Sequence, residues 1–313
     1  MAKKMINTSH VEGLLYEHKL ELRKTGEKSK NPGTEFIMGT IDIATDNALT
    51  NVVSVHFTYV TEKTAKGATN ATFTTLKNII DGKFGSVMGN GADNAVALRI
   101  DSAIALNEFY TDRNGKEELV SAKRNEGGFV HVVTGPLAED ETTRNTFKCD
   151  MLITGVKEVE ADEEKHLPEK VIVKGAIFDF RGGLLPVEFS AVNPKAMDYF
   201  IGLEPSNSNP TFTCVWGRQV SETVTKTIVE ESAFGEDSVR EVKNTRKDFV
   251  ITGASKEPYL WDDESTLTGA EVAAAITERE TYLATVKQRA DEYKASKAGN
   301  AAVATPSSSG FNF

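Results

Sequence analysis

The sequence predicts a mostly β protein with two similar five-stranded barrels, followed by a C-terminal α-helix and a disordered tail. Three observations carry this prediction. Apolar and polar residues alternate in short runs over most of the chain, which is typical of half-buried strands. The predicted element order β-β-β-α-β-β occurs twice. A long helical pattern begins only near Gly269, after both copies.

The first copy can be followed element by element. Its elements are, in order, strands Val11–Leu22, Phe36–Ala44 and Asn51–Val60, a helix from Phe73 to about Gly82, and strands Val96–Leu106 and Phe129–Val133. The helix rests on apolar residues at 3- and 4-residue spacing. Asp112–Gly115 has the composition of a tight hairpin turn and separates the last two strands.

The second copy repeats the glycines of the first as well as its order. Gly13 and Gly39 in the first two strands correspond to Gly155 and Gly175. A sharply coiled strand needs glycine where a side chain would clash. The later elements of this copy are strand Val187–Val192, helix Pro194–Leu203 with Asn193 as N-cap, and strands Thr211–Val220 and Phe249–Thr252. The shared pattern indicates an internal duplication.

Five bent antiparallel strands in this order, with a helix between the third and fourth, close into a Greek-key barrel of the OB type. The alternative is another small β-barrel or a sandwich. The predicted organisation is a first barrel over 1–138, a second barrel over 139–258, a helical region over 259–297 and a disordered tail over 298–313.

The helical region begins with a capping-box pattern, Thr268 to Glu271. Its apolar stripe is interrupted once, at Arg279, and comprises Val272, Ile276, Leu283, Val286, Ala290 and Tyr293. The stripe is expected either to pack on the second barrel or to associate with a second copy of the chain. The tail that follows is small and polar but ends in Phe311 and Phe313, which we expect to contact a partner protein.

The charge balance and the motif content exclude several functional classes. Asp and Glu number 46 against 36 Lys and Arg, a net charge of −10, which argues against a polycation that coats duplex DNA but leaves room for local basic sites. Two distant cysteines and no long apolar run fit a cytoplasmic protein without a leader peptide. P-loop, zinc-protease, hydrolase and dinucleotide motifs are absent, so neither an enzyme nor a bound cofactor or metal is expected.

A single-strand-binding site needs cations along the phosphates and flat rings for the bases. In the first barrel these come from three places: the loop after strand one, the outer face of strands two and three, and the segment between strands four and five. The candidates are Arg23, Lys24, Lys28 and Lys30, then Phe36 and His56, then Tyr110, Arg113, Lys116, Lys123 and Arg124. The alternatives are that the loop only keeps the protein in solution and that a neighbouring segment covers the outer face of strands two and three.

The second barrel offers fewer cations and more rings. The alternation turns Phe178 and Phe180 outward, with Arg181 at the adjoining turn, toward a base or another protein surface. Trp216 and Arg218 share the fourth strand, where Trp216 could stack a base or belong to the core. Acidic runs near both ends of this barrel predict weaker binding than in the first.

These features resemble single-stranded-DNA-binding proteins of tailed bacteriophages. The resemblance rests on the two OB-like blocks, the paired Gly-x-Ile strands, the Val215–Arg218 segment and the Ser-rich tail with a Phe tip. It implies a protein that coats and protects single-stranded DNA during phage replication or recombination. Bacterial single-strand binders end in an acidic Phe-terminated tip that recruits enzymes, whereas here no acidic residue follows Glu292. The tail therefore has a phage partner or the protein's own groove as its target.

Two other functions compete with DNA binding. A virion structural or assembly protein would use Phe178, Phe180 and the C-terminal helix as subunit contacts. An enzyme or a carbohydrate binder could use the same barrels, although the cations between Arg23 and Lys30 favour a polyanion.

Overall fold

The computed structural model describes residues 5–113, 115–161, 168–230, 238–261 and 267–303, with side chains described except at 222–230, 241–246 and 297–303. Strands dominate. In chain order the elements are β1 (Asn7–His18), β2 (Glu21–Lys24), β3 (Glu35–Ala44), β4 (Val52–Thr61), α1 (Ala71–Ile80), α2 (Val87–Asn90), β5 (Ala97–Arg113), β6 (Lys116–Val132), β7 (Asn145–Val159), β8 (Lys170–Phe178), β9 (Leu184–Ala191), α3 (Pro194–Gly202), β10 (Thr211–Glu230), β11 (Ser238–Ala254) and α4 (Gly269–Val303). The predicted fold class is confirmed.

The first barrel is a closed ring of strands. β1 pairs with β3, β3 with β4, β6 with β5 and β5 with β1, all antiparallel, while β4 and β6 close the ring as a parallel contact. Helix α1 lies between β4 and β5 in the chain, and Asn70 caps its first turn. This is the order of a five-stranded OB barrel, in which β2 prolongs the first strand beyond a break at residues 19–20.

The second barrel has the same ring. β7 pairs with β8, β8 with β9, β11 with β10 and β10 with β7, and the parallel contact is between β9 and β11. Helix α3 takes the place of α1, and Asn193 accepts a hydrogen bond from the backbone N–H of Lys195 at 3.0 Å, as predicted for the N-cap. The identical pairing order confirms the duplication that the sequence indicates.

The two barrels are fused through their first strands. β1 and β7 pair antiparallel from Asn7 opposite Cys149 to Val11 opposite Asn145, so one sheet runs through all eleven strands. Apolar packing crosses the same boundary, because Ile104 and Leu106 of β5 join the core of the second barrel. The barrels therefore form one packed body.

A buried polar cluster also lies at this boundary. The Ser9 hydroxyl donates to Asn125 Oδ1 at 2.8 Å, Asn125 Nδ2 donates to Gln219 Oε1 at 2.6 Å, and Gln219 Nε2 donates back to Ser9 Oγ at 2.7 Å. All three residues are buried. The result is a closed ring of hydrogen bonds, here called the polar ring, between β1 and β6 of the first barrel and β10 of the second.

The fourth and fifth strands of both barrels are far longer than predicted. β5 ends at Arg113 and β6 begins at Lys116, on either side of the predicted turn, and the two strands continue outside the barrel as a two-stranded ribbon over residues 107–113 and 116–122, here called the hairpin arm. β10 and β11 do the same. Both faces of such a ribbon are largely polar, so hydrophobic alternation does not reveal it in the sequence.

Helix α4 begins at Gly269, directly after Thr268 of the predicted capping box. In this box the Glu271 N–H donates to Thr268 Oγ1 at 3.2 Å. It extends to Val303, so residues 298–303 of the predicted disordered tail are helical. Residues 304–313, including Phe311 and Phe313, lie outside the described part of the chain. No helix among the described residues is long and apolar enough to cross a bilayer.

Helix α4 packs against both barrels rather than the second alone. Its first turns join a cluster with Phe178 and Phe212 of the second barrel through Ala275 and Val272. Its middle lies on β5 of the first barrel. The predicted stripe is partly wrong, since Ile276 and Tyr293 are exposed. Arg279, predicted as a gap, instead faces inward and pairs with Glu108, whose side chain is 1% exposed.

Candidate nucleic-acid interface

The outer face of β3 and β4 carries two aromatic rings in contact. The centroids of Phe36 and Tyr59 are 4.8 Å apart, and the rings are tilted by 40°. Phe36 is half-buried, and Tyr59 is 52% exposed. Arg23 of β2 lies directly opposite Phe36 in the adjoining strand pair. This arrangement places a cation and a ring pair side by side on the outer face of β3 and β4, which are the second and third strands of the OB barrel.

Strict alternation along β4 from Phe57 predicts that Tyr59 faces the core, and a bulge explains why it does not. Ile37 is opposite Val60, but Gly39 is opposite Phe57, so β4 has one more residue than β3 over this stretch. Phe57 remains buried, while Thr58 and Tyr59 both face solvent. Gly39 permits the bend, with φ of +126° and only 2.0 Å between a notional Cβ and the carbonyl oxygen of Lys19.

The predicted loop cations lie beside this face. Arg23 and Lys24 belong to β2 and not to the loop, and they pair with Glu21 at 2.5 Å and Glu35 at 3.3 Å. Lys28 and Lys30 are exposed on the loop. Thr25 braces the base of this loop, because its backbone oxygen accepts from Gly33 N–H at 3.0 Å and its Oγ1 accepts from Thr34 N–H at 2.9 Å.

His56 does not form the predicted stacking pair with Phe36. It lies opposite Thr40, four residues along β3 from Phe36, and its Nδ1 is 3.2 Å from the Thr40 hydroxyl. Burial, and secondly the nearby Arg124 guanidinium, lower the pKa of His56, while Glu126 opposes the shift. His56 is therefore a neutral hydrogen-bonding group of this face at pH 7.

The hairpin-arm candidates are dispersed. Arg113 and Lys116 face each other, exposed, at the arm's end. Tyr110 is half-buried, with Lys287 of α4 only 5.2 Å above its ring, so α4 covers the ring from one side.

Two further candidates are engaged within the protein. Lys123 points into the second barrel, 5.3 Å from the ring centroid of Phe189 and 5.5 Å from that of Phe249. Burial lowers the pKa of this lysine. Arg124 is half-buried and paired with Glu126 at 2.8 Å. The predicted cationic patch therefore reduces to Arg113 and Lys116.

In the second barrel the two outward phenylalanines differ. Phe180 is 89% exposed at the β8–β9 turn, and the Arg181 guanidinium lies 5.0 Å from its ring centroid. Phe178 is only 1% exposed, which corrects the prediction of an outward surface ring. It does lie outside the barrel core, in a buried apolar cluster that also contains Leu267, just before α4, and Ala275 of α4.

Trp216 and Arg218 are brought together on the outer face of β10. The Trp216 ring is 40% exposed and belongs to the wall of a groove, so the alternative of a core tryptophan is wrong. Arg218 lines the same groove. Within the described ranges, no three His, Cys, Asp or Glu side chains are placed to hold a metal ion.

Comparison with known proteins gives a family and a distant likeness to solved structures. A family model described as YorF matches residues 6–289. No curated protein sequence matches the chain. Two crystal structures of the single-stranded DNA binding protein from Thermus aquaticus, a deletion mutant and the wild type, are similar with a TM-score of 0.45. Their identities are 11% and 10%, over 85% of this chain and 100% and 98% of theirs. The OB assignment rests on the strand order and not on this weak likeness.

Proposed function

We propose that this chain, which belongs to the YorF family, binds single-stranded DNA through base stacking and phosphate contacts on the first barrel. One observation carries the proposal: the Phe36–Tyr59 ring pair lies on the outer face of β3 and β4, the second and third strands of a closed OB barrel, with Arg23 opposite Phe36. This is the face on which OB barrels bind oligonucleotides and oligosaccharides. Exposed Lys28 and Lys30 favour the polyanion.

Stacking is the main source of affinity in this proposal. Each stacked base contributes about 1–3 kcal/mol, so a few rings suffice without a strongly basic protein. A net charge of −10 weakens the sequence-independent attraction to duplex DNA. Such a protein favours single strands by mass action, because it binds them and not the paired form.

The biological setting is a further part of the proposal. The likeness of the sequence to phage single-strand binders supports coating and protection of DNA during phage replication or recombination. Phe311 and Phe313 are then the proposed contacts with a partner protein. The alternative of virion assembly has less support, since Phe178 is buried and α4 packs on its own chain.

The test is a fluorescence-anisotropy titration of labelled dT oligomers. Replacing Phe36 or Tyr59 by Ala should weaken binding by about 1–3 kcal/mol, which is about 5- to 150-fold, because each ring stacks a base. Met88→Ala is the control, since Met88 is a 63% exposed apolar side chain on α2 and not on this face. The triple variant with Ala at Lys24, Lys28 and Lys30 should reduce the salt dependence.

Two results would contradict the proposal. Equal affinities for Tyr59→Ala, Phe36→Ala and Met88→Ala would remove the ring pair from the site. A flat titration of the unmodified protein at low salt, together with large assemblies in light scattering, would favour the assembly function instead.

A further inference from the structure

A groove lies where the first strands of the two barrels pair. Its floor consists of cross-strand rows on β1, β7 and β10. Thr8 is opposite Lys148, which is opposite Trp216. The neighbouring row runs from His10 through Thr146 to Arg218. The groove has a volume of about 550 Å³ and is here called the junction groove. Both barrels contribute to it, so it exists only in the fused protein.

Trp216 presents a fixed ring to this groove. It lies opposite Gly253 on β11, and a Cβ at Gly253 would be 2.4 Å from Trp216 Nε1. The ring therefore packs directly on the backbone of β11, in the space that a side chain at position 253 would fill if this residue were not glycine. With 40% of its surface exposed, Trp216 is a flat apolar platform held in place before any ligand arrives.

The remaining lining is cationic and rich in hydroxyl groups. Lys148, Arg218 and His10 line the groove together with four threonines, and none of the carboxylates that the structure describes belongs to the lining. This is unusual for a protein with a net charge of −10. His10 is held by Asp101 at 2.8 Å, and Asp140 lies near Arg218, so acidic groups flank the groove without entering it.

Arg218 has an unused donor. Its Nε is buried and has no hydrogen-bond partner within the described part of the chain. A buried guanidinium N–H without a partner costs free energy, which an oxygen ligand would offset once the side chain turned this donor toward the groove. Guanidinium groups bind phosphate oxygens well because their donors match phosphate geometry.

We propose that the junction groove binds a second stretch of single-stranded nucleic acid, with a base stacked on Trp216 and the adjacent phosphates on Arg218 and Lys148. The inference rests on the proposed function and adds a site formed by both barrels. A ring beside cations and hydroxyl groups, without carboxylates, fits a nucleotide better than a sugar or an acidic peptide.

The experiment uses Trp216 as its own reporter. The chain contains two tryptophans, so Trp261→Phe leaves Trp216 as the only one. Titration with dT oligomers should quench its fluorescence over the same concentrations that change the anisotropy of labelled dT. In this background, Lys148→Ala and Arg218→Ala should each weaken binding several-fold and lower the salt slope by about 1. Lys195→Ala is the matched control, since this exposed lysine on α3 is not part of the groove.

The outcomes separate the two proposals. If the anisotropy shows binding but the Trp216 fluorescence does not change, and all three variants have the same affinity for dT, the junction groove is not a DNA site and the first-barrel proposal stands. If no probe reports binding of dT, both proposals fail. If inorganic phosphate alone changes Trp216 fluorescence and dT does not compete with it, the groove is an anion site and the inference is wrong.

Discussion

Gly13 and Gly155 occupy equivalent positions in the two copies, but only one of them is constrained by packing. A Cβ on Gly13 would lie 1.9 Å from the carbonyl oxygen of Ala44, because β1 and β3 cross closely there. No atom of the described residues lies within 4 Å of a Cβ built on Gly155. The other duplicated pair is constrained in both copies, because a Cβ on Gly39 or Gly175 would lie 2.0 or 2.1 Å from a backbone carbonyl oxygen. Only the first pair of duplicated glycines thus differs in role.

We therefore expect Gly13→Ala to destabilise the protein by about 1–3 kcal/mol, since β1 or β3 must shift to admit the methyl group. Gly155→Ala should change the free energy of unfolding by about 0.5 kcal/mol or less. Urea unfolding followed by circular dichroism measures both. Equal losses in the two variants would show that the close approach at Gly13 relaxes without cost.

Individual residues also show where prediction of burial from the sequence succeeds and where it fails. Alternation along β4 and β9 predicts that Phe57 and Phe189 face the cores, and both side chains are buried there. It fails at Tyr59 because a single extra residue in β4 reverses the faces, and no composition marks that bulge. Alternation is wrong about the exposure of Phe178 for another reason. The side chain points out of the barrel as predicted, but residues near 267–275, about ninety positions later in the chain, cover it.

At the scale of elements, ion pairs attach α4 to the hairpin arm. Lys287 and Lys294 both pair with Glu117 near the arm's end, the latter at 2.9 Å, and Lys294 also reaches Asp112 at 3.2 Å. The helix and its cap were predictable from local spacing. Its docking site was not, because the decisive ion pair joins Arg279 to Glu108 across 171 positions.

Acid should loosen this attachment. Hydrogen bonds from Lys287 and Lys294 lower the pKa of Glu117 to about 2 from an ordinary value of 4.5. A lowered carboxyl pKa stabilises the docked state above pH 4.5, and the effect is lost as the pH falls from 4.5 toward 2. Distances between spin labels on exposed sites of β6 and α4 should lengthen over that range.

The matched variant for this prediction is Glu117→Gln. Its label distances should be longer at neutral pH and should change less between pH 4.5 and 2, because the titrating group is gone. Glu118→Gln, at the adjacent exposed position, should behave like the unmodified protein. Identical profiles for all three proteins would show that Glu117 does not control the docking.

At the scale of the whole molecule, the duplication was predictable and the fusion was not. Repeated order and spacing give two barrels, but the residues that join them include polar ones such as Ser9, Asn125 and Gln219, which a sequence suggests are on the surface. Their burial depends on pairing between β1 and β7, which no local pattern specifies. The junction groove is a consequence of the same pairing.

If the polar ring couples the barrels, the protein should unfold as one cooperative unit. Gln219→Ala removes one hydrogen bond from each of the buried Ser9 and Asn125 side chains, at a cost of about 1–3 kcal/mol. Because β1–β7 pairing and the insertion of Ile104 and Leu106 also cross the boundary, this loss should shift the whole transition and not one half of it. Chemical denaturation in the Trp261→Phe background, followed by circular dichroism and by Trp216 fluorescence, tests this, since the two probes should give coincident curves with and without Gln219→Ala. Gln288→Ala on the exposed face of α4 should leave the midpoint unchanged. Two separated transitions, with only the one reported by Trp216 moving, would mean that the barrels fold independently and that the junction groove is a contact between two domains.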